Sequence, residues 1–497
     1  MEHLPGSLTL IRFPLRVKLS TVRSGRVLAL LGVILAGSGC GDTYRPIAIP
    51  IQPTPPTPAA SHYVVSLSMN GTCPPSAGEV CAQGASTRID VSGDSSVATA
   101  EVGLNPVHAV IVPNGSSVYV ANQMEDTVSF YSPSSIAPVS IVSLPAGSAP
   151  MFLSATDNIS VYVANSGTNT VSDISTSSEV VVRTVNVGQT PVTLAELPNA
   201  QKVYVANRGS GASPVNGSVQ SISAIDGSVS PIANSSWNSP AWVVARGDNA
   251  RVYALDQGTG LVSVIDTSAD AVVGTAMVQP GANFISYDSN LSRLYVTNPL
   301  AKSLTVLNAS SDALPVLGTV SFAASAGSNA ACPNGCVPLS VSALPDGSRV
   351  YVASYQTSPA CTEPADANAI GCITSQVTVI QASDLTVTKS IAITLPDNVP
   401  SPPATKPDTP MIATCNSARF RVFTAASVDS TRVYVSYCDA GVTAVIRTTP
   451  DTSPGSQSGE DYLVNNLSAP VGVCSAGTCA AGSQPASQNP VFVLQGP

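Results

Sequence analysis

Short runs of alternating apolar and polar residues fill most of the chain after residue 62. Leu261–Asp266 and Ser303–Asn308 are two such runs. A period of two is typical of a β-strand with one buried face, because successive side chains point to opposite sides of a sheet. The runs are separated by turn-forming pairs such as Asn114-Gly115 and Asp346-Gly347, which supply the positive φ that tight turns need. The pattern therefore predicts an all-β fold of short antiparallel strands.

A block centred on Tyr-Val recurs with a period of about 42 residues, which lengthens towards the end of the chain. The blocks begin at Tyr119, Tyr162, Tyr204, Tyr253, Tyr295, Tyr351 and Tyr434. Within each period a Pro-led apolar stretch precedes the block, and an alternating run and a Val-rich run follow it. Each period therefore predicts four short antiparallel strands. Such a sheet cannot bury both faces alone, so successive units are expected to pack side by side in a ring.

The blocks resemble YVTN-type β-propeller repeats, and Tyr295–Asn298 spells that tetrapeptide. The resemblance covers roughly residues 62–450 and implies a β-propeller of seven or eight four-stranded antiparallel blades. Counting the units favours eight blades if the partial unit that starts at His62 is included, whereas the family favours seven. That partial unit lacks a first strand. We expect Asn489–Leu494 to supply it, so that N- and C-terminal strands together close the ring.

The N-terminal segment, residues 1–39, has the features of an export signal. Its basic start is followed by an apolar stretch, Val27–Ala36, that is too short to span a bilayer. The small residues before Cys40 resemble a bacterial lipoprotein signal, which implies acylation of Cys40, although Gly37 stands where that family prefers Leu. A plain secretory signal is the alternative. Residues 40–61 are Pro-rich and predict an extended tether, and residues 62–497 are assigned to the propeller.

The lipoprotein resemblance also implies an address in the bacterial cell envelope. Gly41 is not the Asp that favours retention at the inner membrane, so the outer membrane is expected, with the propeller facing the periplasm or the cell surface. Contact with the membrane is then expected through the lipid anchor only. The chain is expected to be a monomer.

Charge is scarce and negative in this chain. Charged residues make up 10% of it and the formal net charge is −9, whereas soluble domains average about 25% charged residues. Because phosphate binding depends on clustered Lys and Arg, a nucleic-acid partner is not expected.

The cysteines other than Cys40 fall into neighbouring pairs, as expected for loop disulfides in an oxidising compartment. The pairs are Cys73 with Cys81, Cys332 with Cys336, Cys361 with Cys372, Cys415 with Cys438, and Cys474 with Cys479. Metal or redox chemistry is the alternative, but Cys332 and Cys336 have three residues between them and so do not form a Cys-X-X-Cys motif.

No catalytic residue, metal site or cofactor is predicted. The chain has 3 histidines, of which His3 falls in the export signal, so a multi-histidine metal site is excluded. His108 is expected to pack or to line the central channel, where it is a possible ligand contact. Trp237 is a second possible ligand contact, and Trp242 is expected to pack between blades. Recurrent aspartates are expected to stabilise turns. These are Asp226, Asp256, Asp266, Asp346 and Asp439.

Three functions are consistent with the sequence. The leading hypothesis is a lipid-anchored extracytoplasmic scaffold that binds a protein, peptide or glycan ligand through the loops and channel of one face. The second is a propeller enzyme, either a lactonase-like hydrolase or a partner of a periplasmic oxidoreductase. The third is a structural or adhesion protein of the cell surface. Propellers have many unrelated functions, so the fold does not decide among the three.

Overall fold

A computed structural model describes residues 62–69, 83–211, 217–233, 237–324, 332, 335–357, 373–393, 415, 419–451, 459–470 and 489–496. The expected signal, Cys40 and the tether lie outside these ranges. Within them, no helix has both the length and the hydrophobicity needed to cross a membrane.

The described residues form eight four-stranded antiparallel sheets, the blades of a β-propeller. Blade 1 contains β1 (Tyr63–Met69), β2 (Ala85–Asp90) and β3 (Ser95–Glu101). Blade 2 contains β4 (Pro106–Ile111), β5 (Val118–Asn122), β6 (Thr127–Tyr131) and β7 (Ser140–Ser143). Blade 3 contains β8 (Pro150–Ser154), β9 (Ser160–Asn165), β10 (Thr170–Ser175) and β11 (Val180–Asn186). Blade 4 contains β12 (Pro191–Glu196), β13 (Lys202–Asn207), β14 (Ser218–Ser223) and β15 (Val229–Pro231).

The second half of the ring repeats this order. Blade 5 contains β16 (Pro240–Ala245), β17 (Arg251–Asp256), β18 (Leu261–Asp266) and β19 (Ala271–Met277). Blade 6 contains β20 (Phe284–Asp288), β21 (Arg293–Asn298), β22 (Ser303–Asn308) and β23 (Val316–Ser321). Blade 7 contains β24 (Val337–Ala343), β25 (Arg349–Thr357), β26 (Ile373–Gln381) and β27 (Val387–Ile393). Blade 8 contains β28 (Val422–Ala426), β29 (Arg432–Tyr437), a 3₁₀ turn (Cys438–Ala440), β30 (Val442–Arg447) and β31 (Tyr462–Ser468). The last strand is β32 (Asn489–Gln495).

The ring closes by pairing the two ends of the chain. Strand β32 is the innermost strand of blade 1 and pairs antiparallel with β1, so that Val65 lies opposite Leu494. The predicted all-β propeller is therefore confirmed, together with its closure by N- and C-terminal strands. Of the two blade numbers that the sequence left open, eight is the one observed.

Burial falls from the inner strands to the outer strands of a blade. Second strands such as β5 are buried along their whole length, because adjacent blades cover both of their faces. Outermost strands such as β11 alternate between exposed and half-buried residues. The tyrosines that define the repeat lie on the second strands, and six of the seven are no more than 1% exposed. The repeated Tyr side chain therefore packs in the core between blades.

The two faces of the ring carry different connections. We call the face where innermost strands begin and second strands end the mouth face. Two disulfides are described there. One joins Cys332 to Cys336 before β24, and the other joins Cys415, which precedes β28, to Cys438 at the end of β29. The other six cysteines of the predicted pairs lie outside the described residues. The described strands on either side of them have their nearer ends at the mouth face.

Candidate functional site

The centre of the ring is filled by aromatic side chains from the innermost strands. Several of these strands begin at a proline. The pairing register with the neighbouring strand shifts between this proline and the second residue after it, as between Pro106 and His108. Proline cannot donate a hydrogen bond to the ladder, so the shift occurs where the strand starts. The aromatic residues near these strand starts meet at the axis of the ring. They are His108, Phe152, Trp242, Phe284, Phe423 and Phe492.

These six rings form a closed circuit. The centroid of His108 lies 3.7 Å from that of Phe152 and 4.5 Å from that of Phe492, and the other neighbouring centroids are 4.6 to 5.6 Å apart. Phe420 contacts four of the six rings, including that of Phe423 at 4.8 Å. All seven side chains are buried. We call them the aromatic floor, because they close the centre of the ring beneath the mouth face.

His108 lies in this floor, packed against Phe152, which is one of the two positions expected for it. Its Nδ1 accepts a hydrogen bond from the Leu153 N–H at 3.2 Å. Burial, with a smaller effect from the nearby positive charge of Arg419, lowers the pKa of His108 well below its ordinary value. The imidazole is therefore neutral at physiological pH.

The two tryptophans lie in different parts of the ring. Trp242, expected between blades, lies in the aromatic floor with Phe284 at 4.6 Å. Trp237, considered for ligand contact, is half-buried against the apolar cluster of blades 4 and 5, and its indole N–H donates to the Ile232 carbonyl at 3.5 Å. The reason is that Trp242 is the second residue after Pro240, the position that points to the axis. Ligand contact by Trp237 or His108 stays a prediction.

Arg419, which no sequence pattern distinguishes, lies against the floor. The Arg419 guanidinium carbon lies 4.9 Å from the Trp242 ring centroid, 5.2 Å from that of Phe420 and 5.8 Å from that of Phe152. The guanidinium donates hydrogen bonds to the Val192 carbonyl and, at 3.4 Å, to the Ala241 carbonyl. Blade 4 has the small Thr193 at its axis position instead of an aromatic ring. Arg419 therefore contacts blade 4 at a position of the axis where no aromatic side chain from that blade is present.

Covalent and ionic contacts hold the segment that carries Arg419. The Cys415–Cys438 disulfide joins it to the end of β29. Arg421 forms a two-point ion pair with Asp439, with N–O distances of 2.6 and 2.5 Å, and its guanidinium lies over the Tyr355 ring at 5.1 Å. Asp439, predicted to stabilise a turn, lies in the 3₁₀ turn Cys438–Ala440 and binds Arg421. These contacts fix the position of Arg419 on the mouth face.

The charge on Arg419 has no counter-ion among the residues that the structure describes. Arg208, exposed at the end of β13, adds a second cation, and it also lacks a carboxylate partner there. Burial, together with the like charge of Arg208, lowers the pKa of Arg419 to about 9. Yet part of the Arg419 surface remains accessible to solvent. A desolvated charge without a partner is costly, so this arrangement favours an anion.

The remaining predicted turn aspartates have the expected role. Asp226, Asp256, Asp266 and Asp346 accept backbone N–H groups of their own turns at 2.8 to 3.1 Å. Within the described ranges, no three His, Cys, Asp or Glu side chains lie close enough together to hold a metal ion.

Comparisons with known proteins show the fold. No protein-family model matches the chain, and no curated protein matches it. Among solved structures, dihydro-heme d1 dehydrogenase NirN in complex with DHE is 12% identical, with a TM-score of 0.55, over 82% of this chain and 73% of that chain. Kuenenia stuttgartiensis hydrazine synthase is 16% identical (TM-score 0.42; 73% of this chain, 86% of that chain). Virginiamycin B lyase from Staphylococcus aureus is 11% identical (TM-score 0.46; 67% of this chain, 92% of that chain). At these identities the likeness concerns the propeller architecture alone.

Proposed function

We propose that this protein is a lipid-anchored extracytoplasmic β-propeller that serves as a binding module and contacts its ligand on the mouth face. The observation that carries the proposal is Arg419. Arg419 is half-buried, has no carboxylate partner among the described residues, and lies with its guanidinium against the aromatic floor. The Cys415–Cys438 disulfide and the Arg421–Asp439 ion pair lie close to it along the chain. A few oriented polar groups in apolar surroundings are typical of ligand sites.

The distribution of connections supports the choice of face. Both described disulfides lie on the mouth face, and the described strands that flank the longest connections have their nearer ends there. Connections of this kind are the parts of a repeat fold that are free to differ from one another, and they commonly carry binding specificity. The opposite face carries short turns such as Asn199-Ala200.

The cellular part of the proposal comes from the N-terminal sequence. The signal-like residues 1–39, the acylation candidate Cys40 and the Pro-rich tether follow one another in the order that an anchored domain requires. Such a tether would hold the propeller away from the lipid surface as a semi-rigid spacer. A protein, peptide or glycan in the cell envelope is the expected partner.

Photo-crosslinking from the two faces tests the choice of face. A benzophenone amino acid would replace Met124 or Leu300, which are 73% and 77% exposed on mouth-face turns. The matched controls are Ile159 and Ile225, which are 69% and 84% exposed on the opposite face. In cells of the native host, we expect a discrete crosslinked species from the first pair only. Equal crosslinking from both pairs, or crosslinking from the control pair alone, would refute the proposed face.

A further inference from the structure

We propose that Arg419 and Arg208 bind a single carboxylate carried on an apolar group, either a free organic acid or the C-terminal carboxylate of a peptide. The inference rests on the proposed function, since it names the ligand chemistry of the same site. Both arginines lie on the mouth face beside blade 4. Arg208 follows β13, and Arg419 donates to the carbonyl of Val192 in β12.

The hydrogen-bond donors of Arg419 are only partly used. A guanidinium has five N–H groups in a planar fork, and the Val192 and Ala241 carbonyls accept from two of its nitrogen atoms. The other three N–H groups have no acceptor among the described residues. Two parallel N–H groups match the spacing of two carboxylate oxygens, which makes arginine a specific receptor for planar anions.

The surroundings of Arg419 select against highly charged ligands. The guanidinium lies among the rings of Phe152, Trp242 and Phe420. Desolvation of an ion in such surroundings is costly, and the cost rises steeply with ionic charge, so a carboxylate loses less than a phosphate dianion. The net charge of −9 also disfavours polyanions. Transfer of an apolar group from water to apolar surroundings is favourable, so an apolar group beside the carboxylate adds to binding.

The position of Arg419 implies that it lowers the stability of the folded protein and serves ligand binding. Because its charge is desolvated and lies near Arg208, replacing it with a neutral side chain of similar length removes a repulsive contact. Functional residues often carry such a cost. Arg419→Met is therefore expected to fold with an unchanged or higher melting temperature while it loses the ligand.

The experiment uses Trp242 as an internal reporter. The chain has 2 tryptophans, so Trp237→Phe leaves Trp242, which lies 4.9 Å from the Arg419 guanidinium carbon, as the only one. The purified chain is titrated with benzoate, benzamide, inorganic phosphate, and one acetylated peptide ending in Leu-Phe as the free acid and as the amide. Binding is followed by Trp242 fluorescence and by calorimetry.

We expect each acid to bind at least tenfold more tightly than its amide, and benzoate to bind at least tenfold more tightly than phosphate. Arg419→Met should abolish the preference for acid over amide, Arg419→Lys should reduce it at least threefold, and Arg208→Met should weaken acid binding by about threefold. Arg246→Met is the control, because Arg246 pairs with Asp248 on the opposite face. Binding of benzoate and binding of the peptide acid are both consistent with the proposal. The one that binds more tightly shows whether the carboxylate belongs to a free organic acid or to a peptide C-terminus.

Equal binding of acid and amide would overturn the inference, as would unchanged acid binding by Arg419→Met or phosphate binding as tight as benzoate binding. If Arg419→Met does not fold, the Arg419→Lys and Arg208→Met results decide. The proposed function fails separately, through crosslinking from the wrong face, because that measurement requires no particular ligand chemistry.

Discussion

Glu196 is a buried carboxyl group at the end of β12, on the face opposite the mouth. Its side chain is 2% exposed, and its Oε2 accepts the Thr156 N–H at 2.6 Å. No described donor reaches its Oε1. Burial is the largest cause that raises the pKa of Glu196 to about 7, and Asp157 and Asp173 add smaller effects of the same sign. Nothing in its sequence context distinguishes this glutamate, since its burial arises from the packing of blade 3 against blade 4.

Glu196 should make the free energy of unfolding depend on pH. Between about pH 4.5 and pH 7 the folded state binds more protons at this group than the unfolded state, so stability falls as pH rises through that window. Glu196→Gln removes this contribution. At pH 8 we expect the variant to be more stable than the wild type by up to about 3 kcal/mol, since one pKa unit corresponds to about 1.4 kcal/mol.

The measurement is chemical denaturation of the wild type and Glu196→Gln at several values between pH 4.5 and pH 8. The control is Glu101→Gln, which removes an exposed carboxylate at the end of β3 and should leave the pH dependence unchanged. The same dependence on pH in the wild type and in Glu196→Gln would contradict the assignment.

At the scale of elements, ion pairs join several neighbouring blades. A basic residue two positions before the repeated Tyr contacts an aspartate in the outer turn of the next blade. The pairs are Lys202–Asp270, Arg251–Asp312, Arg349–Asp461 and Arg432–Asp94. The last of these joins blade 8 to blade 1 and has both side chains 8% exposed. It therefore supports the same closure that β32 makes by hydrogen bonding to β1.

Breaking the Arg432–Asp94 pair should destabilise the ring. Arg432→Met leaves Asp94 buried with one remaining arginine, Arg447, at 3.4 Å. Removal of one partner of a buried pair typically costs about 3–5 kcal/mol. The control is Arg246→Met, whose partner Asp248 is 54% exposed, and for such a pair the expected cost is about 0–1 kcal/mol. Urea unfolding of both variants gives the comparison, and equal losses would show that the closing pair has no special role.

At the scale of the whole molecule, the proposed anchor would determine where the propeller acts. If Cys40 is acylated, palmitate fed to the producing bacterium should label the wild type, and Cys40→Ser should carry no label. Cys474→Ser is the control, since it alters a cysteine of the propeller domain and keeps Cys40. Equal labelling of the wild type and Cys40→Ser would contradict the anchor.

Local patterns predicted the blade. Alternation in segments such as Leu261–Asp266, and the Tyr block before them, depend only on neighbours along the chain, and they recur as β18 and β17. The final strand was also predictable, because Asn489–Leu494 is apolar and the first unit lacks a strand. The number of blades was not, since the spacing after Tyr351 does not by itself show which segments pair.

The sequence alone thus determined the strand content and the repeat, because backbone periodicity and turn chemistry are local properties. It also predicted the closure of the ring, because the first unit lacks a strand that the last apolar segment can supply. Only the tertiary structure decided which residues meet at the axis. Residues as far apart in the chain as His108 and Phe492 become neighbours there, and the disulfide and ion pair of the Cys415–Arg421 segment place Arg419 among them. The burial of Arg419 and its lack of a counter-ion among the described residues are not local properties. Both follow from the packing of the blades around one centre.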